Sequence, residues 1–587
     1  MTPFAILIPM LAAIIAVAVD SNHNRAKYYA IAGAAISLLM FPLADKGVET
    51  TTWFSIGGVG ITLTSSVMPI NELLMLLVLG IGLLVLVYSA GFIDLPSEQR
   101  RYYAEMLAFE SAMLAFAMAG DFVVLFIAWE FLSLTSYLLI GFWYDREKAI
   151  AAARKAITIV LIGDIALLAA MVMLQNEFGS LQFGTILAGI GASGLPLAPI
   201  ALLLVAIFSK SAQFPLEEWL PDAMEGPTPV SAFLHSSTMV KAGVFVTIVL
   251  FPLFSAAGVL PFMLAIGAVT TAIGIFGATT ETHVKRVLAY STIEELGIMI
   301  VAVAGNALLA AIYFFFAQSF YKALLFFSAG STMKATGEED LRKIGGIGQN
   351  RLIYITTLFG VLALAGFVPF DGFFANAGVD SAFAANLIAY ALMLLVSLTT
   401  SFYIFRWFFM QSKKSPSQRT NLDYAAAPRT MTYSTAVLAA LVLAASAVFF
   451  LAPSLFPGTA GAQLNTNPID AVAETAVVTV GVGIAYFIYA NKRKSRLRKL
   501  MPEVVANRAY TATVMNSAYN HIAYFVEALA EGFAYIDFKL NAAFDLFGHA
   551  VIGMSHGVRR ISSGSINAYV ALFALGTLVL VLVVVAV

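Results

Sequence analysis

The sequence of 587 residues contains no cysteine. That excludes disulfides, thiolate metal sites, iron–sulfur clusters and thiol chemistry within this chain. Charge is scarce too: 11% of the residues are Asp, Glu, Lys or Arg, whereas ordinary soluble domains carry about 25%. A soluble chain of this length needs several cores inside a charged shell, and these residues are too few to make one. The net charge of −1 gives no electrostatic support for nucleic-acid binding. The six histidines are scattered without metal-ligand spacing, and no glycine-rich stretch has the pattern of a nucleotide-phosphate cradle. No cofactor or metal is expected in this chain, and any redox chemistry belongs to partner chains.

What is present is hydrocarbon. Hydrophobic residues make up 60% of the chain, in runs of about twenty, the length that crosses a bilayer as a helix. In lipid only helices and closed barrels satisfy every backbone group. The runs are continuous rather than alternating, so helices are expected. The prediction is an all-α membrane protein with about sixteen transmembrane helices. Their approximate bounds are 3–20, 27–44, 68–93, 104–120, 122–142, 154–175, 194–213, 229–255, 259–280, 287–304, 307–332, 352–371, 379–409, 430–451, 470–490 and 565–587. The first run, Phe4–Val19, lacks a basic leader and a cleavage site, so it reads as a spanning helix rather than a signal peptide. Val48–Ser65 is rich in Thr and Gly with partial alternation, which predicts a short exterior hairpin.

Basic residues fall on alternate loops: Arg25 and Lys27, Arg100 and Arg101, Arg146 to Lys155, Lys285 and Arg286, Lys334 to Lys343, Lys413 to Arg419, and Lys492 to Lys494. The intervening loops carry almost none, Lys46 excepted. By the positive-inside rule both termini lie outside. One inside loop, Glu217–Glu225, is acidic instead. Residues 501–563 carry charges every few positions with interspersed aromatics, and read as a lateral amphipathic helix on the cytoplasmic side. A C-terminal anchor helix occupies 564–587.

Ionisable side chains inside spanning helices are costly and mark function. Glu130 lies mid-segment with no basic residue nearby in sequence, so its partner comes from another helix. Asp164 sits in the next helix, either deep or paired at a helix end. Lys210 precedes Pro215 by five residues. A lysine beside a proline-broken helix is a known ion-site arrangement, and moving a carboxylate near it changes its hold on a proton. His235 and Lys241 are six apart on one expected helix, with hydroxyl residues between them. His235 carries a proton near neutrality or simply packs as a hydrogen bonder. Glu294 and Glu295 lie two turns into a helix that starts at Lys285 and Arg286; Lys285 is either part of a path or a snorkelling end residue. Lys322 sits mid-helix among apolar neighbours. Glu110 also falls in an apolar run, without an assigned role. Proline recurs in Val368-Pro-Phe-Asp-Gly, so the seventh and twelfth segments are both expected to be broken. Each is fourth in a block of five, which suggests two inverted repeats, helices 4–8 and 9–13. The domains follow: 1–100 (helices 1–3), 101–258 and 259–410 (the two half-channels), 411–500 (helices 14–15), 501–563 and 564–587.

Ala128-Trp-Glu-Phe-Leu, Lys210-Ser-Ala-Gln-Phe-Pro-Leu, Trp219-Leu-Pro-Asp-Ala-Met-Glu-Gly-Pro-Thr-Pro-Val, Lys285-Arg-Val-Leu-Ala-Tyr-Ser-Thr and Tyr321-Lys-Ala-Leu-Leu-Phe together resemble the antiporter-like subunits of respiratory complex I, the L-type distal subunit above all. The same family includes large subunits of multisubunit Na+/H+ antiporters and membrane-bound hydrogenases. The resemblance covers roughly 70–410; the region after 500 resembles, less specifically, the lateral helix of the L-type subunit. It implies that Glu130 pairs with Lys210 and that protons pass along a central axis through Lys210, His235 or Lys241, and Lys322. It further implies an NADH- or F420H2-type quinone oxidoreductase whose quinone site, flavin and Fe–S clusters lie in partner subunits, with the lateral helix contacting neighbouring antiporter-like subunits in the plasma membrane. Three positions depart from the pattern. Lys241 stands where the L-type subunit often has threonine; Phe314 and Gln318 stand where it often has histidines; and Asn376 stands where the family has an exit-side lysine, so that either Asp371 or Asp380 substitutes or this half-channel works differently. Two other readings stay open: a Na+/H+ antiporter or hydrogenase subunit, and the membrane half of an inorganic-carbon uptake system.

Overall fold

A computed structural model describes residues 2–490 except 21, 57–58, 191–195, 413–427 and 456–467, together with scattered residues between 535 and 575. The chain divides into two units, Met1–Pro502 and Glu503–Val587. In the second, the described residues are isolated helical positions. The predicted lateral helix, 501–563, and the anchor, 564–587, therefore lie almost wholly outside the described residues.

In the first unit the helices are α1 (Ile8–Val19), α2 (Ala26–Met40), α3 (Pro69–Phe92), α4 (Pro96–Ala117), α5 (Phe122–Ile140), α6 (Glu147–Phe178), α7 (Phe183–Ala188), α8 (Leu197–Lys210), α9 (Trp219–Asp222), α10 (Thr228–Ser236), α11 (Met239–Val249), α12 (Phe251–Ala256), α13 (Leu260–Thr280), α14 (Val284–Ala304), α15 (Leu308–Thr336), α16 (Arg351–Leu364), α17 (Asp371–Phe383), α18 (Leu387–Ser412), α19 (Arg429–Leu455) and α20 (Pro468–Ala485). Among the described residues eleven spans are long and apolar enough to cross a membrane, and Pro3–Val19, Leu197–Lys210 and Arg351–Leu364 are shorter apolar helices. The predicted hairpin is an antiparallel pair, β1 (Gly47–Ile56) and β2 (Val59–Val67).

Local chemistry sets the helix ends. Asp121 caps α5 by accepting from Val124 N at 2.8 Å, and its other oxygen accepts from Thr64 N, tying the hairpin to the helix. Asn350 caps α16 through Leu352 N and Ile353 N. Gly179 and Gly337 end α6 and α15 with φ of 66° and 67°, the left-handed geometry that glycine adopts without strain. Outward faces are apolar. On α5, Ile127, Phe131, Leu134 and Leu138 are exposed at helical spacing, while Trp129, Leu132, Ser133 and Ser136 point inward. α10, α11, α14 and α15 are almost wholly enclosed by other helices.

Both proline-marked breaks are present. α8 stops at Lys210, and Ala212 takes φ 46°, a left-handed conformation that costs a non-glycine residue about 1–2 kcal/mol. α16 stops at Leu364, Gly366 takes φ 77°, and α17 begins at Asp371. A third break was not expected. The segment predicted as one helix over 229–255 is split between α10 and α11, so His235 and Lys241 stand on different helices. Ser236, Ser237 and Thr238 supply the reason. The Thr238 hydroxyl donates to Phe233 O at 2.6 Å, in competition with the helix ladder.

The acidic loop Glu217–Glu225 also has an explanation. Lys155 of α6 pairs with Glu218 at 2.6 Å and Asp222 at 2.9 Å, and Arg286 of α14 pairs with Glu225 at 3.1 Å. The loop's negative charge is matched by basic residues on neighbouring helices.

Candidate functional site

The first cluster lies where α5, α6 and α8 meet. Gly163 of α6 faces Ser209 of α8 so closely that a Cβ there would fall 1.7 Å from the Ser209 hydroxyl oxygen. This close crossing brings the next residue, Asp164, to Lys210, whose Nζ lies 3.5 Å from the carboxylate. Asp164 also accepts from Trp129 Nε1 at 2.6 Å and Ser133 Oγ at 2.9 Å. Lys210 donates to Trp129 O at 3.1 Å and to the Ser133 hydroxyl, and it lies 4.7 Å from the Trp129 ring centroid. An isolated ammonium in this interior is strongly disfavoured. A carboxylate, a hydroxyl, a carbonyl and a ring face together offset its lost hydration. Its place at the C-terminus of α8 adds the favourable end of the helix dipole.

Glu130 is not the ion-pair partner of Lys210. It is half-buried, and its Oε1 has no hydrogen-bond partner among the described residues. It remains within electrostatic reach of both Lys210 and Asp164. The pairing expected from the family pattern is thus taken by Asp164, which comes from a different helix.

From Lys210 the polar contacts continue inward. The neighbouring Ser211 hydroxyl donates to Val240 O at 2.6 Å and accepts from Val244 N at 3.2 Å, fixing the start of α11. Lys241, in that first turn, donates to Phe315 O and the Ser319 hydroxyl of α15. Ser319 stands three residues before Lys322, one turn away on the same helix.

Lys322 pairs with Glu295 at 2.9 Å and donates to Ser291 Oγ at 2.5 Å. Glu295 accepts from Gln318 Nε2 at 3.1 Å, and Gln318 also donates to His235 O at 3.2 Å. Both ring nitrogens of His235 lack a hydrogen-bond partner among the described residues; the ring packs 5.0 Å from that of Phe326 and lies within electrostatic reach of Lys322 and Lys285. Lys285 is buried and donates to Gly226 O at 2.9 Å. Glu294 turns away from Lys322 and accepts from the Thr400 and Tyr403 hydroxyls of α18.

Of the predicted residues, Asp164 and Lys210 form one cluster, with Glu130 at its edge. Lys322, His235 and Lys241 gather around α15, with Glu294 and Lys285 on flanking sides. The sequence offered Glu294 and Glu295 without separating them; Glu295 makes the ion pair, because adjacent helix positions point about 100° apart and only packing decides which faces in. Glu474 of α20 was missed. It is buried, accepts from Asn376 Nδ2 at 3.3 Å, and meets the Asp380 carboxyl. Its signal was the same as that of Glu130, an acid inside an apolar run.

These features define a polytopic helical membrane protein with two buried lysine–carboxylate pairs and a further buried lysine bonded to a hydroxyl. The sequence signature described as NADH:quinone oxidoreductase/Mrp antiporter, transmembrane, matches residues 119–403. The chain is 36% identical over 378 residues to NAD(P)H-quinone oxidoreductase chain 5 of Synechocystis, which covers 61% of this chain and 56% of that one. It is 33% identical over 490 residues to NADH-quinone oxidoreductase subunit L of Mycobacterium tuberculosis, covering 78% and 76%. It is 30% identical over 591 residues to F(420)H(2) dehydrogenase subunit L of Methanosarcina mazei, covering 88% and 87%. A chain in the structure of the Mrp complex from Dietzia sp. shares the fold, with a TM-score of 0.73 at 23% identity over 100% of this chain and 62% of that one. The chain belongs to this family of antiporter-like membrane subunits.

Proposed function

We propose that the chain carries protons across the membrane as the L-type, antiporter-like subunit of a complex I-like quinone oxidoreductase. The observation that carries the reading is the pair of fully enclosed ion pairs, Lys210–Asp164 and Lys322–Glu295, at 3.5 and 2.9 Å, with a third buried lysine, Lys241, bonded to Ser319 one helical turn from Lys322. Lys210 holds its proton while a carboxylate faces it and releases it when that carboxylate is neutralised or withdrawn. Asp164 and Glu130 are its two acidic neighbours, so exchange between them is the switch. The released proton moves past Lys241 to Lys322, where Glu295 plays the corresponding part. His235 and Lys285 give a second approach to Lys322.

The finer architecture belongs to the same proposal. The chain has about sixteen spans, with two inverted five-helix repeats meeting at the broken helices. Both termini are outside, in the plasma membrane. The stretch 501–563 is proposed as a lateral helix along neighbouring membrane subunits, with 564–587 as an anchor helix. Electron donor, flavin, clusters and quinone site are on partner chains; the subunit names of the relatives support this assignment. A Na+/H+ antiporter role is the second reading, supported by Lys241 and by the fold shared with the Mrp chain. The test is proton uptake by vesicles that bear the assembled complex, with and without sodium. Glu130→Gln and Lys210→Ala should each abolish most uptake while the complex stays assembled. Wild-type uptake in both variants, or uptake that requires sodium, overturns the reading.

A further inference from the structure

Asp380 and Glu474 sit apart from the axis just described. Each is buried, at 4% and 1% exposure. Their carboxyls make side-chain contact, and Glu474 also contacts Ser397. Yet Asp380 Oδ2 and Glu474 Oε2 have no N–H or O–H donor among the described residues. An ionised carboxylate only accepts hydrogen bonds; a protonated one also donates. Two negative charges in contact in a buried site repel strongly, so such a pair holds one proton, and that proton is the donor the contact needs.

Polar side chains flank the pair on two sides. Ser397, Thr400 and Tyr403 follow at three-residue spacing on α18, all buried, which lines their side chains along one helix face. Thr400 and Tyr403 donate to Glu294, at the edge of the central axis, and Ser397 touches Glu474. α20 is pressed onto α18 nearby, where a Cβ at Gly481 would lie 2.1 Å from Ser401 Oγ. On the far side Asp470 stands one turn before Glu474 and accepts from the Tyr390 hydroxyl at 3.0 Å. There α17 ends at Phe383, α18 starts at Leu387 and α20 starts at Pro468. On the orientation read from the basic loops, this is the exterior end.

We propose that Asp380 and Glu474 form a one-proton carrier through which protons pass from Glu294 to the exterior surface, with Asp470 and Tyr390 as the last relay. The proposal rests on the proton-transport reading above and adds its exit. As the Glu294 carboxyl gives a proton to the Thr400 hydroxyl oxygen, Thr400 passes its own hydroxyl proton on to Ser397, and Ser397 passes its own to the ionised member of the pair, so each hydroxyl ends with one proton. The pair's second proton then departs toward Asp470, and each hydroxyl is restored as it passes a proton on.

The experiment uses vesicles carrying the full complex, with proton uptake measured per electron transferred. Glu474→Gln and Asp380→Asn should each lower uptake on the order of a hundredfold, the scale of losing a positioned proton carrier, and Glu474→Asp should restore part of it. Infrared spectra of the complex should show a protonated-carboxyl band that Glu474→Asp shifts and Asp380→Asn removes, a readout that a purely structural role would leave unmoved. Wild-type uptake in both neutral variants, with Lys210→Ala still blocked, overturns the exit and leaves the axis standing. Wild-type uptake in Lys210→Ala overturns the transport reading and the exit with it. A band that is unchanged in Glu474→Asp, a variant that keeps the acid, overturns the pair even where the neutral variants fail to assemble.

Discussion

The Lys210 ammonium faces Asp164 at 3.5 Å, and Glu130, one residue along from Trp129, stands beside that pair rather than in it. On the proposed proton path the two carboxylates take different tasks. Asp164 is held by Trp129 and Ser133 and anchors the resting position of the lysine. Glu130, whose Oε1 has no donor among the described residues, is proposed to take over when the lysine moves.

Removing the anchor should separate these roles. Asp164→Ala leaves a buried ammonium without its counter-charge, a change that costs about 3–5 kcal/mol in comparable pairs. Asp164→Asn keeps the shape and the Trp129 and Ser133 contacts, so the complex should assemble but transport protons at least about tenfold more slowly. Thermal stability of the purified complex and uptake in vesicles check the two halves. An Asp164→Asn variant with wild-type uptake assigns the working charge to Glu130 alone.

At the second pair the same logic predicts a sharp difference between neighbours. Glu295→Gln removes the partner of Lys322 at 2.9 Å. Glu294→Gln leaves that ion pair intact and disturbs the Thr400 and Tyr403 contacts instead. In the double variant Glu295→Gln with Lys322→Met, stability should recover relative to Glu295→Gln, because no unpaired charge remains buried. Transport should not recover. A double-variant cycle on unfolding temperature and uptake measures both.

How much of this was readable without coordinates depends on what sets each feature. The hairpin was legible because alternation and turn residues are local. The breaks after Lys210 and Leu364 were legible because proline marks them. The break between His235 and Lys241 carries neither proline nor glycine, and only the run of three hydroxyl residues hinted at it. The partner of Lys210 was not legible. Asp164 and Glu130 lie on separate helices, and the packing of Gly163 against Ser209 decides which of them arrives. Glu474 escaped because its neighbour in space, Asp380, is 94 positions away in sequence.

A pH prediction applies outside the membrane, at the loop after α15. Glu339 lies 3.0 Å from His283 Nε2, and this hydrogen bond, with the His283 and Lys285 charges, holds its carboxyl down to about 2 from an ordinary 4.5. A depressed carboxylate stabilises the folded form fully above about pH 4.5 and loses that contribution as the pH falls through about 2. The loop is docked by Val284 N to Glu339 O at 2.9 Å and Leu341 N to Thr282 O at 2.8 Å. Amide exchange at Val284 and Leu341, corrected for its intrinsic pH dependence, should therefore show rising opening across that acidic window. In Glu339→Gln the acid-dependent step should vanish.

The last prediction concerns a residue with no charge. Gly163 permits the approach of α6 to α8, since a Cβ there would meet Ser209 Oγ at 1.7 Å and Ala206 Cα at 3.2 Å. The Ser209 side chain can turn aside, but the α8 backbone cannot. Gly163→Ala should push the helices apart locally, with an overpacking cost of about 1–3 kcal/mol. Asp164 is the next residue, so the displacement lengthens its contact with Lys210 directly. Transport should fall although every ionisable group is still present, and Gly163→Ala combined with Ser209→Gly should restore part of it by reopening the space. Loss of uptake in the single variant with recovery in the double shows that the lysine–carboxylate distance, and not merely the presence of the two groups, governs proton transfer. An unimpaired single variant breaks that link.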